Sequence, residues 1–567
     1  MISIPHIQKG ETGSLSFAEK NNSYSRSIFF LYAIFIAIGM GIIFIRLFQL
    51  TVVRGKYFSS LADQNRVKEV IIEAPRGTIT DRKGKILASN SKPDMYSKNL
   101  RIESTRTYYQ SDAISHVVGY RQTADENDLE NDPCVNKLIL GDKTGKKGIE
   151  QLLECDLRGE HGKKLIEVDA HGAYKKTLSV FQPKHGENIK LAMDLTLQET
   201  AYDALGKEKG AVVAIKAGTG EILTLVSKPG YSAQEFEDGS GEEVEKIIKN
   251  PDKPLFNRAT EGTYPPGSIY KLIVAAAGLE EGAMTADETI LDKGVLEAGS
   301  LKFHNWFFLE YGKTDGEVDI VKALQRSNDI YFYTLGAKLG PEKIRFWSEL
   351  FGLQKASGIG LHEAVGIVPS SFWKEDVLKE QWYLGDTYNL SIGQGYVAVT
   401  PLQLARVTSV FANNRKLCSS TLIKKDGSAG ESDCEKVPIS QGTYAKIREG
   451  MKAACEVGGT GYPFFDFSVN QPISSAQLKK DIENGLRDQY EATSSAMIRR
   501  KISVGCKTGT AESHGDERNP HSWFTVFAPF DNPEIVVTVL VEEGGQGSDV
   551  AAPIAKKVLT EHFERYE

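Results

Sequence analysis

The sequence predicts a protein of mixed α/β (α+β) class. An N-terminal transmembrane helix is followed by a β-rich elongated pedestal domain and a C-terminal domain whose five-stranded antiparallel sheet is flanked by helices. Three observations carry this. Ile28 to Ile45 gives 18 successive residues without a charge. Residues 54 to about 190 alternate short apolar stretches with Gly and charged turns. From about Asp194 helical spacing appears, and two strand-like runs near residue 215 are answered by three more after residue 500.

In order along the chain, the apolar run is about 27 Å long as a helix, enough to cross a bilayer. Arg46 interrupts it, but Leu47, Phe48, Leu50, Val52 and Val53 continue its character, and tilt or snorkelling extends the span. A cleaved signal peptide would need a small-residue cleavage site, and RLFQLTVVRGKYF offers none, so the segment reads as a retained signal anchor. Lys20 and Arg26 before it compete with Arg46, Arg54 and Lys56 after it, so charge alone does not settle orientation. The implied organisation is a tail over 1–27, the anchor over 28–53, the pedestal over 54–190 and the second domain over 191–567.

Within the second domain, GAVVAIKAGTGEILTLVS reads as a hairpin, and RKISVGCKTGT, SWFTVFAPF and PEIVVTVLVEE as three strands bounded by Gly, Pro, Asn or Asp. Mostly helical sequence lies between the two groups, and VAAPIAKKVLTEHFERY closes the chain as a helix. Glu456 to Arg500 is polar, irregular and then weakly helical, and reads as a mobile flap.

The 68 basic and 75 acidic residues leave a net charge of −7, which provides no diffuse attraction for nucleic-acid phosphates. Six cysteines, Cys134, Cys155, Cys418, Cys434, Cys455 and Cys506, show no CxxC spacing and suggest neither a zinc ribbon nor a thioredoxin-type pair. Outside the cytoplasm Cys418 and Cys434 can close a short loop; buried unpaired thiols are the equal alternative.

The chemistry-bearing residues fall in three places. GTYPPGSIYKLIVAAAGLEEG sets Ser268 and Lys271 three apart, on one face of a helix and at its N-terminal end. There, free N–H groups and the macrodipole favour developing negative charge, and Lys271 reaches the hydroxyl as a base. For that its pKa must fall, through burial or a second cation, for which Lys507 is the candidate. Ser371 and Lys374 repeat the spacing without the Pro-Pro-Gly elbow and read as a surface helix start. Lys507-Thr508-Gly509 lies on a predicted strand, whereas Lys143-Thr144-Gly145 lies in a Gly and Lys turn. Ser327-Asn328-Asp329 puts a hydroxyl and a carboxylate two apart on a turn. Alone, it would pass as a helix cap.

In the order S-x-x-K, S-x-D, K-T-G, the three form the set associated with serine acyl transferases that react with penicillin. With APRGTITDRKGKILA, KKGIEQLLECDLRG, NRATEGTYPPGS, LSIGQGYVAVTPLQLA and WFTVFAP, the chain resembles a class B penicillin-binding protein over nearly its whole length. Such a protein is a monofunctional peptidoglycan D,D-transpeptidase, and SNDIYFY is more similar to the elongation-type subgroup, related to penicillin-binding protein 2, than to the division type, which usually has S-x-N.

The resemblance implies that Ser268 attacks the penultimate D-Ala carbonyl of a stem peptide while Lys271 takes its proton. Ser327 and Asp329 orient Lys271 and relay the proton to the leaving amine. Lys507, Thr508, Gly509 and Thr510 bind the terminal carboxylate from the strand edge, and the backbone N–H groups of Ser268 and Thr510 form the oxyanion hole. β-Lactams acylate Ser268. No metal or organic cofactor is implied, and Asp292, His304 and Asp315 do not make a convincing ligand set. The pedestal is of the dimerisation type. The catalytic domain lies outside the inner (cytoplasmic) membrane, anchored in lipid by residues 28–53 with its short tail in the cytoplasm. The partners this resemblance implies are a polytopic SEDS-type glycosyltransferase and other elongation-machinery proteins, with no nucleic acid. Three departures from the pattern stand out: a short stretch between Pro75 and His116, Cys506 in place of the usual Gly, and the long Glu456 to Arg500 segment, expected near the cleft. The competing functions are a division-specific transpeptidase, a β-lactam sensor or hydrolase, and a catalytically silent scaffold activating a glycosyltransferase.

Overall fold

A computed structural model describes residues 26–92, 101–169, 171–424, 433–472, 475–485, 497–513 and 519–565. The chain divides into two compact units, one holding the N-terminal segment to Ile71 with Lys163–Phe181, the other most of the remainder. In the first unit, helix Arg26–Phe48 continues as a π-helical turn over Gln49–Val53, and none of its side chains is buried. This is the one helix among the described residues long and apolar enough to cross a membrane. Helix Gly55–Arg66 follows, then strand Val67–Ile72 beside the antiparallel pair Gly162–Val168 and Tyr174–Phe181. Arg66 and Glu167 pair at 2.5 Å.

The second unit is organised by a five-stranded sheet. Its strands are β1 (Gly210–Lys216), β2 (Ile222–Lys228), β3 (Gly505–Ala511), β4 (His521–Ala528) and β5 (Ile535–Val541), in the spatial order β2-β1-β5-β4-β3, every neighbouring pair antiparallel. The five predicted strands are thus found, with the K-T-G strand at the edge. Because both faces are covered, β1, β2 and β5 read as near-continuous apolar runs rather than alternating ones, whereas the edge strand β3 carries the polar K-T-G-T residues. From β4, Phe524 and Val526 join a core with Leu197, Ala201, Val558 and Leu559 of helices Leu195–Ala204 and Ala552–Glu564. Trp523 and Phe527 face the other way, into a core with Leu404, Val407 and Phe411 of helix Pro401–Ala412. Thr525 lies between those two, and its hydroxyl is satisfied at 2.8 Å by Thr408 of that helix and at 2.7 Å by Thr538. A third core joins Ile79, Leu87, Val117, Ile149 and Leu157 to Ala211, Val213 and Leu225 of the sheet.

Beside that core runs a buried ionic network. Arg76, from the APRG segment, meets Glu150 and Glu154 at 2.5 Å each, and Arg106 reaches Glu150 at 2.7 Å. Arg121 meets Glu237 at 2.7 Å, and Arg158 meets Asp132 at 2.6 Å. Burial alone would push Glu150 upward, yet the Arg106, Arg76 and Arg121 guanidiniums hold it down to about 2.

Three expectations need correcting. The cysteines form three disulfides, Cys134–Cys155, Cys418–Cys434 and Cys455–Cys506, so the alternative of buried thiols fails. Lys143–Gly145 is a short strand paired with Arg121–Thr123 rather than a turn. Of the described part of Glu456–Arg500, the segment to Gly461 lies at the K-T-G strand as expected, whereas the rest does not form a flap over the cleft. Its strands Ser468–Pro472 and Met497–Lys501 pair and lie against the C-terminal helix, with Asn470 N donating to Glu564 at 2.9 Å and Gln471 Nε2 to the Phe563 carbonyl at 3.0 Å. Residues 473–474 and 486–496 of that stretch lie outside the described residues.

Removing Glu150 leaves two buried guanidiniums short of a partner, a change that typically costs about 3–5 kcal/mol. Glu150→Ala is expected to lower the thermal midpoint of the detergent-solubilised chain sharply. Since the folded value of about 2 lies below the ordinary 4.5, this carboxylate's contribution is full above pH 4.5 and drains away as pH falls toward 2. Glu150→Gln is expected to flatten that acid limb; an unchanged limb would show that the network is not coupled to folding.

Candidate active site

The Pro265-Pro266-Gly267 elbow leads into a 3-10 turn over Gly267–Ile269, and the α-helix proper starts at Lys271. Ser268 therefore sits in a tight turn just ahead of the helix rather than in its first turn, with its side chain half-buried. Helix Lys271–Glu280 is buried from Lys271 through Gly278, in keeping with the apolar LIVAAAG run that follows the lysine.

Close backbone approach sets the geometry. Gly267 has φ +53, and a Cβ there would come within 2.7 Å of the Thr510 carbonyl oxygen. At Gly509 a Cβ would meet Trp523 Cβ at 2.9 Å, Ile269 at 3.2 Å and the Pro266 carbonyl at 3.3 Å. The Gly of K-T-G thus lets the edge strand β3 lie directly against the serine elbow. From the other side, Gly267 N donates to the Gly393 carbonyl at 2.9 Å, and Gln394 Nε2 reaches the Thr510 carbonyl at 3.4 Å.

The S-x-D turn connects helix Ile320–Arg326 to helix Asp329–Leu339. Ser327 takes the left-handed conformation, φ +54, a strained state for a serine that the surroundings enforce. Asn328 caps the second helix through Oδ1 to Tyr331 N at 3.0 Å, and its Nδ2 donates to Asp292 at 2.9 Å and Asp315 at 3.0 Å. Asp292 also accepts from Asn305 Nδ2 at 2.8 Å. The two carboxylates weighed as ligands with His304 are therefore the buttress of this turn.

Here Lys271, Ser327, Asp329 and Lys507 converge. Lys271 Nζ donates to Asp329 Oδ1 at 2.6 Å, to the Ser327 carbonyl at 2.8 Å and to Ser327 Oγ at 3.4 Å. Lys507 Nζ donates to Ser327 Oγ at 2.8 Å and to the Thr508 carbonyl at 3.0 Å. Asp329 Oδ2 accepts from Trp306 N at 3.0 Å. Both lysines are fully buried. Burial lowers Lys271, and Asp329 opposes that shift. Burial lowers Lys507 much further, and repulsion from Lys271 adds to it. Of the two causes expected to lower Lys271, burial is the one found, with Asp329 acting against it.

Among the described residues no hydrogen bond joins Ser268 Oγ to Lys271 Nζ, since the amine is turned to Asp329 and Ser327. Catalytic contacts of this kind commonly tighten only with substrate bound. Thr508 is buried, with its hydroxyl 2.8 Å from that of Thr460, while Thr510 is exposed at the end of β3. Sequence reasoning missed Thr460, Asn305 and Trp306, which carry no motif spacing.

The second S-x-x-K is separate: Ser370 caps the short helix Ser371–Trp373, Ser371 Oγ bonds Glu342 at 2.5 Å, and Lys374 is buried on Asp386 at 2.8 Å.

Residues 210–465 and 466–560 match the family described as penicillin-binding protein transpeptidase domain, and residues 92–191 the penicillin-binding protein dimerisation domain. The chain belongs to the class B penicillin-binding protein family. Peptidoglycan D,D-transpeptidase MrdA of Haemophilus influenzae is 28% identical over 92% of this chain and 89% of its own length. The Salmonella typhimurium protein of that name is 31% identical over 81% of this chain and 73% of its own. Among solved structures, Pseudomonas aeruginosa PBP2 in complex with WCK 5153 is 32% identical with TM-score 0.69, covering 88% of this chain and 98% of that one. Helicobacter pylori PBP2 in complex with MreC is 26% identical with TM-score 0.70, over 88% of this chain and 98% of that one. These relatives carry elongation-type names, in line with the S-x-D subgroup.

Gly509→Ala would force the edge strand off the elbow. Because displacements of about 1 Å at a reacting centre cost roughly 100-fold in rate, acylation by penicillin is expected to fall by about that factor. Full-rate acylation would show that the approach of β3 to the elbow does not set the site.

Proposed function

We propose that this chain is a peptidoglycan D,D-transpeptidase that cross-links stem peptides through a serine acyl-enzyme during cell-wall elongation, and that β-lactams inhibit it covalently. The observation that carries the reading is the convergence of two buried lysines, Ser327 and Asp329 beside the elbow that bears Ser268. Ser268 is the nucleophile, and Lys271, once it has lost a proton, is the base. As the Ser268 O–C bond to the penultimate D-Ala carbonyl forms, the hydroxyl proton passes to Lys271. When the C–N bond breaks, Ser327 relays that proton to the departing D-Ala amine. An amine from a second stem peptide then attacks the ester, closing the cross-link and restoring Ser268. Lys507 and the Thr508 and Thr510 edge of β3 receive the terminal carboxylate, and the backbone N–H groups of Ser268 and Thr510 face the developing oxyanion. No step requires a metal or organic cofactor.

Residues 28–53 anchor the protein once in the inner (cytoplasmic) membrane, with the tail over 1–27 inside and both the pedestal over 54–190 and the catalytic domain over 191–567 outside. The partner that supplies glycan strands is a polytopic SEDS-type glycosyltransferase of the elongation machinery.

Intact mass after incubation with penicillin, followed by peptide mapping, tests the nucleophile. One adduct on Ser268, lost in Ser268→Ala and kept in Ser371→Ala, is expected; labelling that survives Ser268→Ala refutes the assignment. The pH profile of acylation tests the base. The reactive form is deprotonated Lys271, so the rate rises with pH. Asp329 opposes the downward shift of Lys271, and Asp329→Asn is therefore expected to move the rising limb to lower pH. A limb that moves up or stays fixed would remove Lys271 from that role.

A further inference from the structure

Loop 455–461 joins the end of helix Gln441–Ala454 to the rest of the site, and three of its residues are fastened to catalytic elements. Cys455 is covalently bonded to Cys506, the residue immediately before Lys507 on β3. Gly458 offers its carbonyl to Arg326 Nη1 at 2.9 Å, one residue before Ser327. Thr460 places its hydroxyl 2.8 Å from that of Thr508. The loop curls tightly around the disulfide: Gly461 N donates to the Ala454 carbonyl at 2.7 Å, and a Cβ on Gly461 would come within 2.6 Å of Cys506 Sγ. It therefore spans the S-x-D turn and the K-T-G strand, and Thr460 is held at its apex between the two.

A threonine hydroxyl has one hydrogen to give and two lone pairs to receive. In the Thr460–Thr508 pair one hydroxyl donates and the other accepts. If Thr508 donates to Thr460, its only hydrogen is spent inside the protein and none remains for a substrate anion. If Thr460 donates, the Thr508 hydrogen is free to point outward from the strand edge. An arriving carboxylate favours the second arrangement, because a hydrogen bond to an ionised acceptor is stronger than one between neutral hydroxyls. Thr460 supplies the neutral bond that fixes Thr508 Oγ in place while leaving its proton for the ligand.

We propose that Thr460, tethered through the Cys455–Cys506 crosslink and Arg326, is a positioning residue that donates to Thr508 and thereby directs the Thr508 hydroxyl proton to the substrate's terminal carboxylate. This rests on the transpeptidase reading, in which Thr508 meets that carboxylate. The role is specific to anionic ligands: a substrate whose carboxylate is masked gains nothing from a directed Thr508 proton.

The test uses the full chain in detergent and two probes, benzylpenicillin and its methyl ester, with acylation at Ser268 followed by intact mass. Thr460→Val keeps the side-chain shape but removes the donor, and Thr460→Ser restores it. Thr460→Val is expected to acylate about 10-fold more slowly than wild type with benzylpenicillin and at the wild-type rate with the ester, while Thr460→Ser recovers the benzylpenicillin rate. An equal loss with both probes would mean that Thr460 only supports the strand. No loss with either would mean that Thr508 needs no such partner, and both results overturn the proposal. A wild-type chain that takes no adduct on Ser268 from benzylpenicillin would instead overturn the functional reading on which it rests.

Discussion

Two lysine side chains are buried beside a single carboxylate, and the rest of the site is arranged around that imbalance. Lys271 and Lys507 are both fully buried, and both meet Ser327. A buried ammonium is tolerable only when paired, and Asp329 is bonded to Lys271. Lys507 is left with a hydroxyl and a backbone carbonyl, which solvate an amine but do not balance a charge. Burial lowers both amines, and at Lys507 repulsion from Lys271 adds to it while Asp329 opposes it at Lys271. On the proposed reading, the substrate carboxylate brings the missing negative charge. Its arrival favours the ammonium form of Lys507, and the nearby positive charge in turn eases the loss of the Lys271 proton. Substrate recognition and activation of the base are then one electrostatic event.

Placing these groups requires three backbones to come closer than side chains allow. The serine elbow touches β3 only because positions 267 and 509 carry no Cβ, and the turn at Gly393 closes on the elbow from the opposite side. Ser327 must adopt a left-handed conformation to turn both its carbonyl and its hydroxyl toward Lys271. Such a conformation costs about 1–3 kcal/mol and persists only when surrounding bonds over-determine it. Asn328, Asn305, Asp292 and Asp315 supply them, so a cluster of acids and amides that touches neither lysine holds the residue that touches both.

What the sequence displayed and what it hid divide along a physical line. The central strands were legible because buried strands are near-continuous apolar runs, as in IVVTVLV, and the serine was legible because Pro-Pro-Gly and a following largely apolar helix mark an elbow over a core. The short strand at Lys143 was hidden: three polar residues have no period, and its pairing with Arg121–Thr123 is a tertiary fact. The disulfide of Cys455 with Cys506 was hidden in the same way, since 51 residues separate the two and only the fold returns the chain to β3. Thr460 sits in GGTGYP, where nothing in the spacing distinguishes it from any turn threonine. The start of the Glu456–Arg500 stretch lies at the cleft as expected, but the path of its later part was misjudged because polar composition suggests exposure, not location; a hairpin against the C-terminal helix satisfies it equally well.

The buried ion network beside the third core follows the same logic at longer range. Arg76, Arg106, Arg121 and Arg158 are matched by Glu150, Glu154, Glu237 and Asp132, with residues from the Ile72–Gly162 region meeting Glu237 from beyond β2. Apolar side chains of similar volume would stabilise such a junction at least as well, because desolvation offsets most of the attraction between buried charges. The difference lies in how each arrangement responds to misplacement. An apolar contact displaced by one residue still buries surface, whereas a displaced guanidinium leaves two charges unpaired in a low-dielectric interior at several kcal/mol each. The network thus penalises every register but one. Within this network Arg121 and Lys143, both on Glu237, tie the Ile72–Gly162 region to the chain just after β2, so it is there that ionic pairing constrains how this layer meets the domain that carries the site.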